Sequence, residues 1–331
     1  MKSRAPSRGV ALVIVLWIVM VLSLLISGFA FTMRVETQVA SFSRKELKAE
    51  MLARSGVEIA KMQLLLHDKT PTEAGFDALN QGWVTNVEMF VDHELGEGKF
   101  NVTITDEERK LPLNQLTQDD LRRLMSVLDV DPLDGDTILD SILDWTDPND
   151  LHRLNGAEND YYLSLNPPYR CKDGPFDRVE ELLLVRGVTP ELFHGTPATE
   201  DELARPGLRD LLTTYSAGQV NINTATTLTL QVVLGLDETQ VAAILDRRDG
   251  QDGLPGTEDD LPYRSPNELL GTLNLDSTIR QQIAGKVATS SQFFRVQCTG
   301  EVAGVRYTID TVVRRQGGRC LVVAWTERRG A

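Results

Sequence analysis

The longest apolar segment of the chain lies near its N-terminus, where no charged side chain occurs between residues 9 and 33. As an α-helix, residues 10–33 would be about 36 Å long, which is enough to cross a hydrocarbon layer of about 30 Å. Trp17 lies inside this apolar run rather than at one of its ends. The pattern therefore predicts a helix that is embedded in a membrane.

The segment that follows, residues 34–66, keeps a helical pattern but becomes amphipathic. It contains one glycine, Gly56, and no proline. Apolar residues recur along it at an approximately helical spacing, at Leu47, Met51, Val57, Ala60 and Leu64. The sequence thus predicts one continuous helix from about residue 10 to residue 66, roughly 85 Å long.

Alternating apolar and polar positions predict strands in two separated parts of the chain. A strand over residues 100–104 follows a turn at Gly96 and Gly98, and we expect it to pair with a strand around Val87–Val91. Glycines at positions 304, 317 and 318 separate three more predicted strands, which are Phe293–Cys298, Val305–Val313 and Cys320–Thr326. A sheet that follows a long N-terminal helix makes an α+β protein.

About 180 residues between these strands are acidic and have a helical pattern that turn residues interrupt. Helix-capping signals are frequent, for example Thr117 three residues ahead of Asp120. The predicted helices are Leu116–Leu128, Asp136–Trp145, Val179–Val185, Leu208–Leu212, Thr226–Leu234, Glu238–Arg247, Pro266–Leu273 and Ser277–Ala288. The economical interpretation is an all-α region inserted into the sheet of a small α/β domain.

Two motifs describe the internal organisation of this helical region. Residues 174–183 resemble residues 261–270, because an aromatic residue and a polar cap precede Glu-Leu-Leu in each, which predicts two copies of a helix-pair unit. Residues 220–225 (VNINTA), followed by LGLD at residues 234–237, resemble a helix-hairpin-helix module, and some such modules bind DNA. Asp237 and the glutamate after it would repel phosphate at this hairpin, so nucleic acid is not an expected partner.

Net charge supports the same exclusion and adds an orientation. The 331 residues carry a formal net charge of −14, whereas nucleic-acid binding needs a basic surface. Three bases and no acid precede residue 10, namely Lys2, Arg4 and Arg8. A basic stub ahead of an apolar run keeps the N-terminus on the cytoplasmic side of a membrane.

The three cysteines are Cys171, Cys298 and Cys320. They are too few for a disulfide scaffold and lack the spacing of a zinc site. One disulfide, with Cys298 and Cys320 as the pair, is one alternative if the body lies in an oxidising compartment. Three unpaired thiols that pack as small apolar residues are the other.

Two glycine-containing loops concentrate acidic residues that are candidate Ca²⁺ ligands. The candidates are Asp144, Asp147, Asp150, Glu158 and Asp160 in the first loop and Asp249, Asp252, Glu258, Asp259 and Asp260 in the second. Neither loop has the spacing of the regular twelve-residue calcium loop, so helix caps and solvated turns remain the alternative. The four histidines are scattered and no catalytic motif is present, so we do not predict an enzyme.

The N-terminal pattern resembles that of type IV pilins and of the pseudopilins of type II secretion, with a short basic leader that ends in Arg8-Gly9. This resemblance implies that a prepilin peptidase cuts between Gly9 and Val10, and that Val10 becomes an N-methylated N-terminus. These families usually carry glutamate as the fifth mature residue, where this chain has Ile14. A buried carboxylate is costly without a partner, so Ile14 fits a subunit at a filament tip, and it equally fits a plain signal anchor.

Four motifs, in order along the chain, resemble those of one family, the K-type minor pseudopilin (general secretion pathway protein K). They are Asp144-Trp145-Thr146-Asp147, Asn155-Gly156-Ala157-Glu158 with Tyr161-Tyr162, Pro175-Phe176 with Glu181-Leu182-Leu183, and Val220–Ala225. The resemblance implies a pilin-like long helix and small antiparallel sheet, with a large all-α domain of helix-hairpin-helix or SAM-like type inserted into the sheet. It also implies Ca²⁺ in that helical domain.

The same resemblance implies a function at the tip of the type II secretion pseudopilus, where the subunit would help to initiate assembly and protein export across the outer membrane. The implied partners are the I- and J-type minor pseudopilins, other pseudopilins and the prepilin peptidase. The implied location is a single pass through the inner membrane with the body in the periplasm. A minor pilin of a type IV pilus and a signal-anchored periplasmic calcium-binding protein are the alternatives.

These interpretations divide the chain into six parts. The parts are a leader peptide (1–9), the transmembrane half of the helix (10–33), its amphipathic half (34–68), the first part of the α/β domain (69–111), the inserted helical domain (112–290) and the C-terminal strands (291–331).

Overall fold

The computed structural model describes residues 8–197, 204–273 and 277–330 of the chain, so most of the expected leader lies outside the described residues. Helix α1 runs from Arg8 to His67 over 60 residues, a length of about 90 Å, and it confirms the predicted continuous helix. Its residues 11–40 are exposed. Within the described part of the chain, α1 is the one helix long and apolar enough to cross a membrane.

The second half of α1 packs on the sheet through small side chains. Ala49, Ala53 and Ala60 are fully buried, and the helix backbone passes so close to Gly300 of the sheet that a Cβ atom there would lie 2.8 Å from the backbone N of Ala53. Gly56 faces the sheet in the same way, with a Cβ position 3.0 Å from Phe100. Small residues on both surfaces therefore set how closely the helix and the sheet approach each other.

The main sheet has five antiparallel strands in the order β1-β2-β3-β4-β5. The strands are β1 His93–Leu95, β2 Gly98–Asp106, β3 Phe293–Val302, β4 Val305–Gln316 and β5 Arg319–Gly330. Gly304, Gly317 and Gly318 have positive φ in the two hairpin turns between the last three strands, which is the conformation that hairpins of this kind require.

The strand predicted around Val87–Val91 is wrong. Helix α2 (Gly82–Thr85) and helix α3 (Val87–Phe90) occupy this segment instead. The side chain of Asn86 caps α3 by accepting a hydrogen bond from the backbone N–H of Met89, and such a local bond favours a helical turn over a strand. The neighbour of β2 at this edge is therefore only the three-residue strand β1.

The helical region is inserted between two strands that are neighbours in the sheet. Strand β2 ends at Asp106, which pairs with Phe294 near the start of β3, so the chain leaves the sheet and returns to it at almost the same place. The region has its own apolar core, separate from the core between α1 and the sheet. The predicted fold class, an α+β protein with an all-α insertion in the sheet, is thus confirmed.

The insertion consists of short helices joined by turns. They are α4 Gln118–Val127, α5 Pro132–Thr146, α6 Asn159–Tyr162, α7 Pro190–His194, α8 Leu208–Leu211, α9 Thr227–Leu234, α10 Glu238–Arg248, α11 Pro266–Thr272 and α12 Ser277–Ala284, with 3₁₀ turns at Glu107–Arg109, Leu113–Gln115 and Val179–Leu184. The predicted helix Ser277–Ala288 ends early, because the carbonyls of Lys286 and Ala288 accept backbone hydrogen bonds from Val220 and Ile222. Two-residue strands form at Val220–Asn221 and Val287–Ala288 as a result.

The predicted internal repeat is visible as two equivalent sets of contacts. Asn114 receives a hydrogen bond from the backbone N of Phe176 and donates one to its carbonyl. Asn223 makes the same pair of bonds with Tyr263. Phe176 and Tyr263 are the buried aromatic residues near the start of the two similar motifs. In both copies of the unit, an asparagine side chain therefore binds the backbone of the equivalent aromatic residue.

Candidate metal centre and buried junction

The residues expected to be processed lie at the start of α1. Arg8, Gly9 and Val10 belong to its first turn. Ile14 is 53% exposed within the uncovered apolar half of the helix. The cut after Gly9, the methylation of Val10 and the significance of Ile14 stay predictions.

The first acidic loop begins at the C-terminal end of α5 and folds back against it. Asp144 is fully buried on that helix, and both its oxygens accept hydrogen bonds from Arg153, including a 2.5 Å contact with Nη1. The same guanidinium lies 2.6 Å from Asp147. Gly156 leaves room for this arrangement, because a Cβ atom there would overlap the Asp144 carboxylate. Arg153 thus neutralises part of a concentrated negative charge.

Glu158 is the unusual member of this loop. Its side chain is 1% exposed, and both carboxylate oxygens lack a hydrogen-bond donor among the described residues. Burial, reinforced by the negative charges of Asp144, Asp147 and Asp173 and opposed by Cys171, raises the pKa of Glu158 to about 7. An unpaired buried carboxylate is costly, so this position is built to receive either a proton or a cation.

Two residues that the sequence did not indicate complete the site. A carboxylate oxygen of Glu158, the Sγ atom of Cys171 and a carboxylate oxygen of Asp173 all lie within 4.8 Å of one another. Cys171 is buried and Asp173 is exposed. The residues fit a divalent cation, because they supply a buried orphan carboxylate together with a second carboxylate that faces solvent.

Aromatic rings pack next to this site. The Trp145 ring stands edge-on to Tyr162 at a centroid distance of 5.2 Å and stacks with Phe176 at 6.5 Å. All three side chains are buried. They hold the end of α5 and the following loop together, so the position of Asp144 is fixed by packing rather than by the loop alone.

The other candidate ligands of the first loop make local contacts. Asp150 is exposed and accepts a hydrogen bond from Asn159. Asp160 is exposed and accepts one from the backbone N of Tyr161. The structure therefore brings Asp144, Asp147 and Glu158 together and leaves these two at the surface.

The second acidic loop satisfies most of its own carboxylates. Oδ2 of Asp259 accepts backbone N–H bonds from Gln251 and Asp252, and Oδ2 of Asp260 accepts one from Gly256. Asp249 forms an ion pair with Arg248 at 2.6 Å. Asp252 caps the turn at Leu254, and Glu258 is exposed. Since these oxygens already serve the loop backbone, they fit a cation less well than Glu158 does.

The structure contradicts the disulfide between Cys298 and Cys320, and all three cysteines are free thiols. Cys298 of β3 lies opposite Ile309 of β4, whereas Cys320 of β5 lies opposite Arg315 of β4. Ile309 and Arg315 are about 20 Å apart along an extended strand. A disulfide needs Cα atoms within about 7 Å, so the sheet register excludes this pair.

A buried polar junction joins the sheet to the insertion. Oδ2 of Asp106, at the end of β2, accepts hydrogen bonds from Asn221, Thr224 and Ser291 at 2.6–3.0 Å. Burial, together with the charges of Asp77 and Glu108, raises the pKa of Asp106 to about 7 against the hydrogen bonds from Ser291 and Thr224. The VNINTA motif therefore has a structural role here, because Asn221 and Thr224 anchor the insertion to the strand it interrupts.

A buried ion pair lies beside this junction. Asp77 is fully buried, and its carboxylate accepts hydrogen bonds from Nη2 of Arg315 at 2.6 Å and from the backbone N of Ser291 at 2.6 Å. Nε2 of His67, from the last turn of α1, is 3.2 Å from the same carboxylate. Hydrogen bonds and charge from His67 and Arg315 hold the pKa of Asp77 below its usual value despite burial. The junction thus ties α1, the sheet and the insertion to one another.

The hairpin between α9 and α10 lies where the sequence resembles a helix-hairpin-helix module. Gly235 ends α9 in the left-handed conformation, and Asp237 caps α10 by accepting a hydrogen bond from the backbone N of Gln240. Asp237 therefore occupies the helix N-terminus that would otherwise be available to an anion.

Known proteins resemble this chain in sequence and in fold. The family model for type II secretion system protein K matches residues 98–195. The type II secretion system protein K of Klebsiella pneumoniae is 28% identical over 56% of the chain, and that of Pseudomonas aeruginosa is 25% identical over 77% of it. The match spans 60% of the length of the Klebsiella protein and 76% of the Pseudomonas protein.

A solved structure extends the likeness over most of the chain. The crystal structure of the GspK–GspI–GspJ complex from the type 2 secretion system of enterotoxigenic Escherichia coli contains a chain that matches with a TM-score of 0.66 and 19% identity. The match covers 90% of this chain and 99% of that one. At this identity the likeness shows a common fold.

Proposed function

We infer that this chain, which belongs to the family of type II secretion system protein K, acts as a minor pseudopilin at the tip of a type II secretion pseudopilus. The observation that carries the inference is the single helix α1, which is apolar and uncovered in its first half and packed on an antiparallel sheet in its second. Such a helix anchors the subunit before assembly and packs among other helices afterwards. The role is structural and needs no catalytic group.

A position at the tip accounts for one departure from an ordinary subunit. Ile14 replaces the glutamate that would reach the subunit above, and a subunit without such a neighbour has no use for a buried carboxylate. The bulky insertion also occupies the connection between β2 and β3, two adjacent strands. We place the chain in the inner membrane with its body in the periplasm, where it helps to start the filament that drives export.

The proposed partners are I- and J-type minor pseudopilins. Support comes from the fold, since the similar chain of enterotoxigenic Escherichia coli was crystallised in a complex with GspI and GspJ. Other pseudopilins and the prepilin peptidase complete the proposed set. The alternative, a minor pilin of a type IV pilus, shares the anchor and differs in these partners.

Co-purification tests the assignment. When the tagged full-length chain is co-expressed with I- and J-type pseudopilins and the membranes are solubilised in detergent, we expect both partners in one complex with it. A parallel culture that supplies minor pilins of a type IV pilus instead serves as the control. Capture of the type IV minor pilins without I or J would overturn the proposal in favour of the alternative.

We further propose that the insertion binds a divalent cation at Glu158, with calcium as the ion that the family resemblance implies. Glu158 would be its central ligand, with the negative charges of Asp144 and Asp147 nearby, and the cation would take the place of the proton and compensate the charge of the buried carboxylate. The bound ion would supply stability to the loop after α5. The proposal is confined to the first acidic loop, because the second satisfies its carboxylates without a cation.

Thermal unfolding of the full-length protein in detergent tests the cation site. We expect the midpoint to rise by several degrees with millimolar Ca²⁺ and to fall with chelator, since a ligand that binds only the folded state stabilises it. Glu158→Gln should abolish the response. The exposed Glu191, in the same insertion, provides the control, and Glu191→Gln should keep it. An unchanged midpoint in the wild type would leave the loop as ordinary surface.

A further inference from the structure

The centre around Glu158 contains one ligand atom that is not oxygen. The Sγ atom of Cys171 lies within 4.8 Å of carboxylate oxygens of both Glu158 and Asp173. Calcium is held by oxygen ligands alone. Zinc and other thiophilic divalent cations bind sulfur together with carboxylates. The sulfur atom therefore favours a zinc-like cation over calcium at this centre.

The surroundings of Cys171 direct its sulfur toward this centre. Its backbone N donates a hydrogen bond to Asn159 at 3.0 Å, which holds the segment around Cys171 against the start of α6. The thiol makes a long contact of 3.8 Å from Sγ to the backbone carbonyl of Asp144. The side chain is 6% exposed, so it is held in the site rather than free to rotate into solvent.

Glu158 supplies an independent indication that a ligand is missing. Its carboxylate is 1% exposed, and neither oxygen has a hydrogen-bond donor within the described residues. Arg153 forms ion pairs with Asp144 and Asp147, but among the described residues it donates no hydrogen bond to Glu158. A cation next to the sulfur would give this carboxylate the partner that the protein itself does not provide.

We propose that Glu158, Cys171 and Asp173 form a mixed sulfur–oxygen metal site that takes a thiophilic divalent cation, of which Zn²⁺ is the model, in preference to Ca²⁺. The inference rests on the cation site proposed above and names the ligands and the ion of that site. Bonds of about 2.0–2.3 Å to zinc put two ligand atoms at most about 4.6 Å apart, and the three atoms here lie within 4.8 Å of one another. Because Asp173 is exposed, water would complete the four ligands of the bound cation.

The binding step is a ligand exchange without redox chemistry. The Cys171 thiol loses its proton to solvent as the metal–sulfur bond forms, and the cation loses water molecules. Glu158 and Asp173 bind through carboxylate oxygens. The centre then carries three negative ligand charges against two positive ones, which leaves Arg153 to balance the neighbouring acids Asp144 and Asp147.

Cobalt provides a direct readout, because Co²⁺ replaces Zn²⁺ and absorbs in the near ultraviolet when it is bound to sulfur. Full-length protein in detergent is titrated with Co²⁺ under reducing conditions, and then with Zn²⁺ and Ca²⁺ as competitors. We expect a sulfur-to-cobalt charge-transfer band that Zn²⁺ displaces at a concentration at least about tenfold lower than Ca²⁺ does.

Two variants and one control identify the sulfur. Cys171→Ser should remove the charge-transfer band and weaken zinc binding by about tenfold or more, whereas Cys298→Ser should keep both, because Cys298 is equally buried but lies in the sheet. Asp173→Asn tests the site without risk to the core, since Asp173 is exposed and has a positive φ that asparagine tolerates. It should weaken zinc binding while unfolding remains unchanged.

The outcomes separate this inference from the cation site itself. Calcium binding that is as tight as zinc binding, with a cobalt spectrum free of the charge-transfer band, would overturn the sulfur ligand and leave the oxygen site in place. Equal zinc affinity in the wild type and Cys171→Ser would also overturn it. The absence of any bound divalent cation would overturn the site as a whole, and it would leave the assignment as a pseudopilin untouched.

Discussion

Arg315→Met lowers the free energy of unfolding by about 3–5 kcal/mol, the cost expected when one partner of a buried ion pair is removed. Asp77 is fully buried, and its carboxylate accepts a hydrogen bond of 2.6 Å from Nη2 of Arg315. Methionine keeps much of the volume of the arginine stem but removes the guanidinium from that carboxylate, which then keeps only His67 and the backbone N of Ser291 as partners. The same guanidinium also lies over the ring of Phe294 at 4.8 Å. The substitution therefore removes a packing contact in the core beneath α1 as well as the ion pair at the junction.

The neighbouring residue supplies a matched control. Arg314 is less buried, donates to Gln292 at 3.1 Å and touches no described carboxylate. Arg314→Met should therefore cost no more than about 1 kcal/mol. The measurement is urea unfolding of the full-length protein in detergent, followed by tryptophan fluorescence. Trp83 packs against Phe294 at 5.4 Å and reports on this core.

A double variant separates lost charge compensation from lost packing. If the unpaired Asp77 carboxylate causes the penalty, Asp77→Asn combined with Arg315→Met should be less destabilised than the sum of the two single changes. Strict additivity, or equal effects at positions 314 and 315, would contradict the role of the junction.

The parts of the fold that follow from periodicity were predictable from the sequence. Helix α1 and the strands β2 to β5 have continuous patterns of apolar residues and clear turn glycines, and the structure keeps them with extended ends. Segment 87–91 was not predictable in this way, because its alternation of apolar and polar residues is compatible with a strand. A single hydrogen bond to the side chain of Asn86 stabilises a helical turn there instead. The early end of α12 depends on Val220 and Ile222, which are distant in sequence.

The candidate sites show a similar division. Asp144, Asp147 and Glu158 were predictable because an acidic loop with glycine attracts attention to cations. Cys171 and Asp173 were not, since no regular spacing links them to Glu158 and only the chain reversal after α6 brings them together. The ion pair of Asp77 and Arg315 joins residues that are 238 positions apart, and nothing local in the sequence indicates it.

Gly9→Val should block maturation completely, because the proposed peptidase requires the small residue at the end of the leader. The expected product keeps its basic leader, remains in the membrane and does not enter a complex with the I- and J-type partners. Gly28→Val is the matched control. Gly28 lies on the same helix, and a Cβ atom there meets nothing within 4 Å, so this variant should be processed like the wild type.

Immunoblots of cells with and without prepilin peptidase compare the two variants. A Gly9→Val chain that is shortened as efficiently as the wild type would contradict the proposed cut. A Gly28→Val chain that fails to mature would show that the helix, rather than the leader, controls the step.

The N-terminal sequence of the mature chain tests the pilin-like account most directly. The protein is purified from membranes of cells that contain prepilin peptidase, and its N-terminus is determined by mass spectrometry. Pilin-like processing predicts a chain that begins at Val10, carries a methyl group on its amine and lacks residues 1–9. A chain that still begins at Met1 would contradict it and would leave α1 as a plain signal anchor.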